Sequence, residues 1–276
     1  MSGLVALTGR EIKKWYKNPF VLFISLVQPI IWMGLFGKAM NLSALAGSDP
    51  RAQTGFLLAF GVNDYFSYMA VGMLAFVVLF ATMFSGMSIV WDRRLGFLNK
   101  VLSTPASRGS IILSKVFIAV IRALVQAGIV LIAAVLLGLG FGIDFNPAFL
   151  LVVFAALFLM SVGLSAMFVA IAIRSKKWET QMAIMNLLNL PLLFASNALF
   201  PTSIMPAWLQ DIAQANPVTY GTDAARQLIL GSLIPGTTVI GGPNWTSVAN
   251  DFIFLGIFAV VFAAIGIALS WRYLSK

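Results

Sequence analysis

At 276 residues, 60% hydrophobic and only 10% charged, with a mean hydropathy of +0.96, the chain falls far below the roughly 25% charge of a soluble domain and reads as an all-α polytopic membrane protein. Cysteine and histidine are both absent, which excludes disulfides, thiolate metal sites, cysteine nucleophiles and the usual imidazole ligand or general base. The net charge of +9 calls for no nucleic-acid partner, because the basic residues cluster at the ends of apolar runs, where topology explains them.

Residues 2–18 form an amphipathic lead. At about 100° per residue, Leu4, Val5, Ile12, Trp15 and Tyr16 share one side, and Arg10, Lys13, Lys14 and Lys17 take the other. This is the pattern of a helix lying in the membrane interface with its basic face toward anionic headgroups. Asn18-Pro19 breaks it and turns the chain inward. Ala44-Leu45-Ala46 mimics a signal-peptidase site, but the apolar run before it is longer than a signal core and follows a long charged lead, so no cleavage is expected.

Six spans follow, at residues 20–37, 65–90, 111–140, 147–173, 180–200 and 252–271, each near the roughly 20 residues a bilayer requires. The whole chain, 1–276, is one transmembrane domain. Between the first two spans, residues 41–64 read as an Ala/Gly/Ser-rich loop with an apolar patch, Phe56-Leu57-Leu58-Ala59-Phe60. Along the second span Met69, Met73, Phe76, Phe80 and Met83 make a soft stripe suited to varied apolar ligands, although helix packing is the commoner reason for such a stripe.

Residues 91–115 are a charged island holding five of the eighteen basic residues. Asp92, Arg93, Arg94, Lys100, Arg108 and Lys115 are costly in hydrocarbon, so this piece is expected to stand in water. Within it, residues 93–103 read as a short amphipathic helix with Leu95, Leu98 and Leu102 at i, i+3 and i+7, stopped by Pro105. A helix so short is marginal alone, and its apolar stripe suits a partner's groove.

In the third span Arg122 stands deep, with Gln126 one turn on; it is either a polar contact in a pathway, an interhelix lock or a snorkelling cation. Asn146-Pro147 makes a tight turn into the fourth span, where Ser161, Gly163, Ser165 and Ala166 permit close helix approach. The fifth span carries a polar strip of Gln181, Met182, Met185, Asn186 and Asn189, with Ser196 and Asn197 near its end. The connection 201–250 holds two further short helices, over 204–215 and 224–233, separated by prolines; such broken pieces survive at membrane depth only against protein or a watery cavity. Asp223 and Arg226, at i and i+3, are expected to pair there.

The N-terminal lead, the 91–115 island, the 174–179 loop and the C-terminal tail hold fourteen of the eighteen basic residues, and fall on one side. Positive-inside places that side, and both termini, in the cytosol.

Trp91-Asp92-Arg93-Arg94-Leu95-Gly96-Phe97-Leu98, followed by Leu102-Ser103-Thr104-Pro105-Ala106-Ser107-Arg108, resembles the coupling segment of ABC-2 type transporter permeases, particularly the daunorubicin-resistance-like branch. The family usually carries an acidic residue where this chain has Arg94, Asn99 or Lys100, so the segment is more basic than typical. A second group is similar to the family's C-terminal signature: Asn197-Ala198-Leu199-Phe200-Pro201, Met205-Pro206-Ala207-Trp208-Leu209, and Asn216-Pro217-Val218-Thr219-Tyr220 with Asp223 and Arg226 after it. Both groups stand in the family's order and, taken with the six spans and the interfacial lead, extend the resemblance over nearly the whole chain.

The resemblance implies a type V exporter-like fold: six spans with an N-terminal interfacial helix, a cytosolic coupling helix and short outer re-entrant helices. It implies that Asp92, Arg93, Arg94, Gly96, Phe97, Leu98, Leu102, Thr104 and Pro105 couple to a separate ATPase subunit, present in two copies and holding ATP and Mg. It further implies a permease homodimer whose second and fifth spans border the translocation route, with Met73, Phe76, Phe80, Asn186, Asn189 and Asn197 as candidate pathway residues. The chain itself lacks a phosphate loop of the Gly-x-x-x-x-Gly-Lys-Ser/Thr kind, so it carries no cofactor or metal of its own and is not an enzyme. The expected activity is outward transport of an amphipathic small molecule, drug-like, or a lipid, through a multi-pass, prokaryotic-type cell membrane. Export of a polysaccharide or lipid-linked glycan is the alternative. An intramembrane enzyme is disfavoured by the lack of paired carboxylates in the spans, and a passive channel or scaffold is the remaining class.

Overall fold

A computed structural model describes residues 3–17, 19–39, 49–96, 108–175 and 177–273. In chain order they form α1 (Gly3–Tyr16), α2 (Pro19–Trp32) running on into a π-helical stretch (Met33–Ala39), α3 (Pro50–Phe60), α4 (Tyr65–Arg94), α5 (Arg108–Leu136), α6 (Phe149–Arg174) and α7 (Trp178–Phe194). A 3-10 turn (Thr202–Ile204), α8 (Ala207–Gln214), α9 (Pro217–Leu230), strands β1 (Ser232–Leu233) and β2 (Ile240–Gly241), and α10 (Trp245–Tyr273) complete it. The two strands, of two residues each, pair antiparallel; the other regular elements described are helical.

Local chemistry sets many of the boundaries. Asp64 opens α4, its Oδ2 accepting from the Ser67 N–H at 2.9 Å and from the Ser67 hydroxyl at 3.0 Å, the arrangement of an N-cap. Asn146 Oδ1 accepts from the Ala148 N–H at 2.9 Å, making the expected Asn-Pro turn before α6. Asn216 opens α9 in the same way, accepting from the Val218 N–H at 3.0 Å with Pro217 at the first helical position.

The sequence missed one helix. Residues 50–60 were expected as loop, yet Asp49 accepts from the Arg51 N–H at 2.9 Å, Pro50 begins α3, and Gly61 ends it in the left-handed region at φ 69°. An Asp-Pro start and a Gly stop are recognised helix signals, here obscured by the loop-like composition before them.

Among the described residues, four helical stretches are long and apolar enough to cross a membrane: Pro50–Arg94, which contains α3 and α4, then Gly109–Leu136, Phe149–Arg174 and Trp245–Arg272. The expected first and fifth spans fall on shorter pieces. Residues 20–37 coincide with α2, interrupted by Pro29, and its π-helical continuation. Residues 180–200 coincide with α7, which contains Pro191 and ends at Phe194. A proline inside a helix removes one rung and crowds the preceding turn, which shortens both regular helices.

The core is built around α4. Tyr68, Phe66, Met69, Met73, Leu74 and Leu79 are all fully buried on it, because α5, α6, α9 and the start of α7 surround it. By contrast α10 packs mainly on α6 and leaves most of its surface open, with 17% of its apolar window buried against 78% for the α3–α4 stretch. The small-residue stripe of α6 serves the expected close approach: a Cβ at Gly163 would collide with Phe258 of α10. On α4, a Cβ at Gly72 would collide with the Ala198 carbonyl, so only glycine lets the 195–200 turn rest there.

The bundle has two polar ends. One gathers α1, the foot of α4, the start of α5 and the α6–α7 junction; we call it the base. The other gathers the start of α4, the 138–145 turn, the 195–205 turn, α9 and the β hairpin; we call it the crown. The described parts of the N-terminal lead, of the 91–115 island and of the 174–179 loop therefore share one end, as their charges indicate.

Candidate functional site

Three successive residues at the foot of α4 each hold a different neighbour. Trp91 meets Trp178 of α7 edge to face, with ring centroids 4.8 Å apart. Asp92 is buried and accepts from Lys115 Nζ of α5. Lys115 also donates to Glu11 Oε1 of α1 at 3.0 Å, and Arg10 closes the set, 2.9 Å from Glu11 and 3.8 Å from Asp92 Oδ1. Arg93 donates Nη1 to the Ser175 carbonyl at 2.9 Å and Nη2 to the Ile173 carbonyl at 3.0 Å. It thereby satisfies open carbonyls at the end of α6, where the helix dipole favours a cation.

Asp92 and Lys115 were expected in water. The structure buries both, at 5% and 4% exposure. Charges leave water at tolerable cost only when paired and hydrogen-bonded, and Glu11, on a helix far away in sequence, completes the pairing. Sequence reasoning had not singled out Glu11. As the chain's only acid on an otherwise basic lead, it was the available signal.

Arg94 is exposed, and Gly96 turns the chain at φ 70° beyond the end of α4. Arg93 and Arg94, expected to begin a separate amphipathic helix, belong to the last turn of α4. Phe97, Leu98, Leu102, Thr104 and Pro105 lie outside the described residues. At the same end a cleft of about 490 Å³ opens between α6 and α7, lined by Ile171, Arg174, Ser175, Lys177, Thr180 and Ile184.

The six candidate pathway residues do not converge on one surface. Met73 and Phe76 are buried in the core, and the Phe76 ring meets that of the half-buried Phe80 at a tilt, with centroids 4.5 Å apart. Asn186 is exposed on α7, beside the exposed Leu187 and Leu190. Asn189 is half-buried, and its Oδ1 has no hydrogen-bond partner among the described residues. Gln181 is fully buried with neither amide atom bonded among those residues.

Asn197 belongs to the crown. Its backbone carbonyl accepts from the Tyr68 hydroxyl at 2.9 Å and from Arg226 Nη2 at 2.9 Å. Arg226 also reaches the Tyr68 carbonyl at 3.4 Å, and its guanidinium lies 3.6 Å from the Tyr68 ring centroid, a cation–π contact. The expected Asp223–Arg226 pair does not form. Asp223 accepts from Gln227 Nε2 at 2.7 Å, and Gln227 donates also to Ser247 at 2.9 Å. Arg226 instead reaches across to α4 and the 195–200 turn, where two carbonyls and the Tyr68 ring receive it. Beside this network lies a cavity of about 360 Å³ whose lining includes Phe60, Tyr68, Asn197, Asp223, Arg226 and Gln227. Asn216 ties the end of α7 into the crown through Nδ2, which donates to the Leu192 carbonyl at 2.9 Å and the Ala195 carbonyl at 2.7 Å.

Among the described residues no three acidic side chains come together as metal ligands. The geometry offers no reaction centre there; it offers a braced foot at one end, a polar latch at the other, and apolar helices between.

Residues 2–230 match the profile of the ABC-2 type transporter family. The chain is 32% identical over 228 residues to ycf38 of Cyanophora paradoxa, named as a transport permease, covering 82% of this chain and 73% of the relative. It is 29% identical over 225 residues to ycf38 of Pyropia yezoensis, covering 81% and 72%. It is 28% identical over 180 residues to the daunorubicin resistance ABC transporter permease protein DrrB1 of Streptomyces coeruleorubidus, covering 64% and 62%.

Proposed function

The chain belongs to the ABC-2 type transporter family as a multi-pass, non-catalytic permease, and on that premise we propose that it exports an amphipathic small molecule or lipid by alternating access. ABC permeases pair with ATPase subunits, which bind the ATP. In our reading two copies of this chain pair in a cell membrane, and each docks one ATPase carrying ATP and Mg. Both termini and the base face the cytosol, α1 rests in the interface, and α2 and α7 complete six crossings as shorter, proline-interrupted helices. Residues 93–103 take the force, with the 174–179 loop as a second contact beside the cleft.

One observation carries this reading. Trp91, Asp92 and Arg93 connect the foot of α4 to α7, to α5 and α1, and to the end of α6. A push delivered just beyond Gly96 therefore reaches four helices through side chains that are already bonded. Coupling needs the ATPase to bind two permease states with different free energy, and a foot tied to several helices makes those states distinct. In this role Asp92 and Arg93 transmit, while Arg94 and residues from Phe97 onward make the contact. Met73, Phe76, Phe80, Asn186, Asn189 and Asn197 border the route when the pathway opens. The drug-resistance permease among the relatives supports a drug-like cargo.

The test replaces Leu98 and Leu102 together by Asp. The variant is expected to insert and purify normally, to lose the co-purifying ATPase, and to lose ATP-dependent export of a fluorescent amphipathic drug from vesicles. Undiminished export would sink the coupling role.

A further inference from the structure

Arg122 sits on an otherwise apolar stretch of α5, about 21 Å along the axis from Arg108 at 1.5 Å per residue. Its Nε is buried without a hydrogen-bond partner, and among the described residues its guanidinium has no ion pair within bonding distance. The near side of α1 supplies a ring: Trp15 lies 6.0 Å from the guanidinium carbon. One helical turn earlier on α1, Glu11 bonds Lys115, one to two turns earlier on α5. The two helices therefore climb side by side, and Arg122 lies just above the buried base.

Charge counting shows what is missing. Glu11 and Asp92 already face Lys115 and Arg10. Glu11 is the carboxylate whose field reaches Arg122, so a third cation shares two acids, leaving one positive charge in excess. Lys13, exposed on α1, and Lys17, exposed just past its end, add further positive charge to the same end of the chain. An uncompensated guanidinium at membrane depth is expensive, and its planar fork suits phosphate oxygens. Gln126, one turn further from the base on α5, is bonded to Ser25 of α2 at 2.7 Å. An indole beside the guanidinium is the usual companion of a headgroup boundary.

We propose that Arg122, flanked by Trp15, holds the phosphate of an anionic phospholipid from the base-side leaflet, seated between α1 and α5. The site is filled whether or not cargo moves, so it stands apart from the transport reading.

The full chain, delipidated in neutral detergent, is titrated with phosphatidylglycerol, with phosphatidylcholine and separately with inorganic phosphate. Thermal unfolding and lipid retained in native mass spectrometry are the readouts. Phosphatidylglycerol is expected to raise the unfolding midpoint and to remain bound, phosphatidylcholine to act more weakly, and inorganic phosphate to do nothing. Arg122→Gln should weaken the apparent lipid affinity about tenfold, the scale of a lost charge-assisted contact, while Arg122→Lys keeps part of it. An unaltered lipid response in Arg122→Gln overturns the proposal, and an equal gain from inorganic phosphate overturns the lipid assignment. Wild-type protein without any lipid response overturns it whatever the variants do.

Discussion

Base and crown each bury a cation, and they satisfy it by different means. At the base Lys115 meets two carboxylates; at the crown Arg226 meets two backbone carbonyls and the face of Tyr68. Carboxylates surrender far more hydration than carbonyls on burial, so the base is secure only as a complete set and fails sharply when one member leaves. Backbone carbonyls are neutral dipoles that tolerate losing a donor at smaller cost. In the transport cycle we propose, the base is therefore the fixed joint where force enters, and the crown the weaker latch that releases.

The largest effect should come from the joint. Lys115→Met leaves Glu11 and Asp92 buried with Arg10 as their remaining described partner, and is expected to cost about 3–5 kcal/mol. That is a large share of a typical protein's total stability. Thermal unfolding and monodispersity in detergent measure it, and a variant as stable as wild type would dissolve the distinction between the two ends.

The crown should give smaller numbers. Arg226→Met removes a charged donor from two carbonyls and is expected to cost roughly 1.5–3 kcal/mol, and Tyr68→Phe, which removes one hydroxyl, about 1 kcal/mol. Both are expected to alter export more than their stability loss explains, because a weakened latch shifts the balance of pathway states. A crown variant as damaging as Lys115→Met would reverse the assignment of joint and latch.

The sequence made one end of this comparison far easier to see than the other. Positive charges marked the base as a single end, and apolar runs located the long helices, because both signals are local and cumulative. The partners within the base were invisible, since Glu11 and Lys115 are 104 residues apart and Asp92 and Lys115 are 23 apart. Nothing periodic links positions that meet only through tertiary packing. At the crown the local rule misled: i, i+3 spacing suggested Asp223 with Arg226, while the carbonyls of Asn197 and Tyr68 competed and won. The pathway residues were chosen by residue type, which does not reveal that Met73 faces the core and Asn186 the surface.

The smallest effect on stability tests the apolar region between the two ends. Asn189 Oδ1 has no donor among the described residues, and on the same helix Asn186, Leu187 and Leu190 are exposed. A buried amide oxygen without a donor weakens a fold, so replacing it by a similarly sized apolar side chain removes a penalty while losing no bond. Asn189→Leu should thus leave the unfolding midpoint of the solubilised chain unchanged, or raise it by the equivalent of about 1 kcal/mol. If α7 borders the route, the same variant should lower export, because the amide that lacks a donor at rest is then the group that meets cargo or a second copy. Asn186→Leu, exposed from the start, should change stability least of all and serves as the control for the helix surface. Unchanged export in both variants would assign this strip to packing and leave the route to be sought along α4.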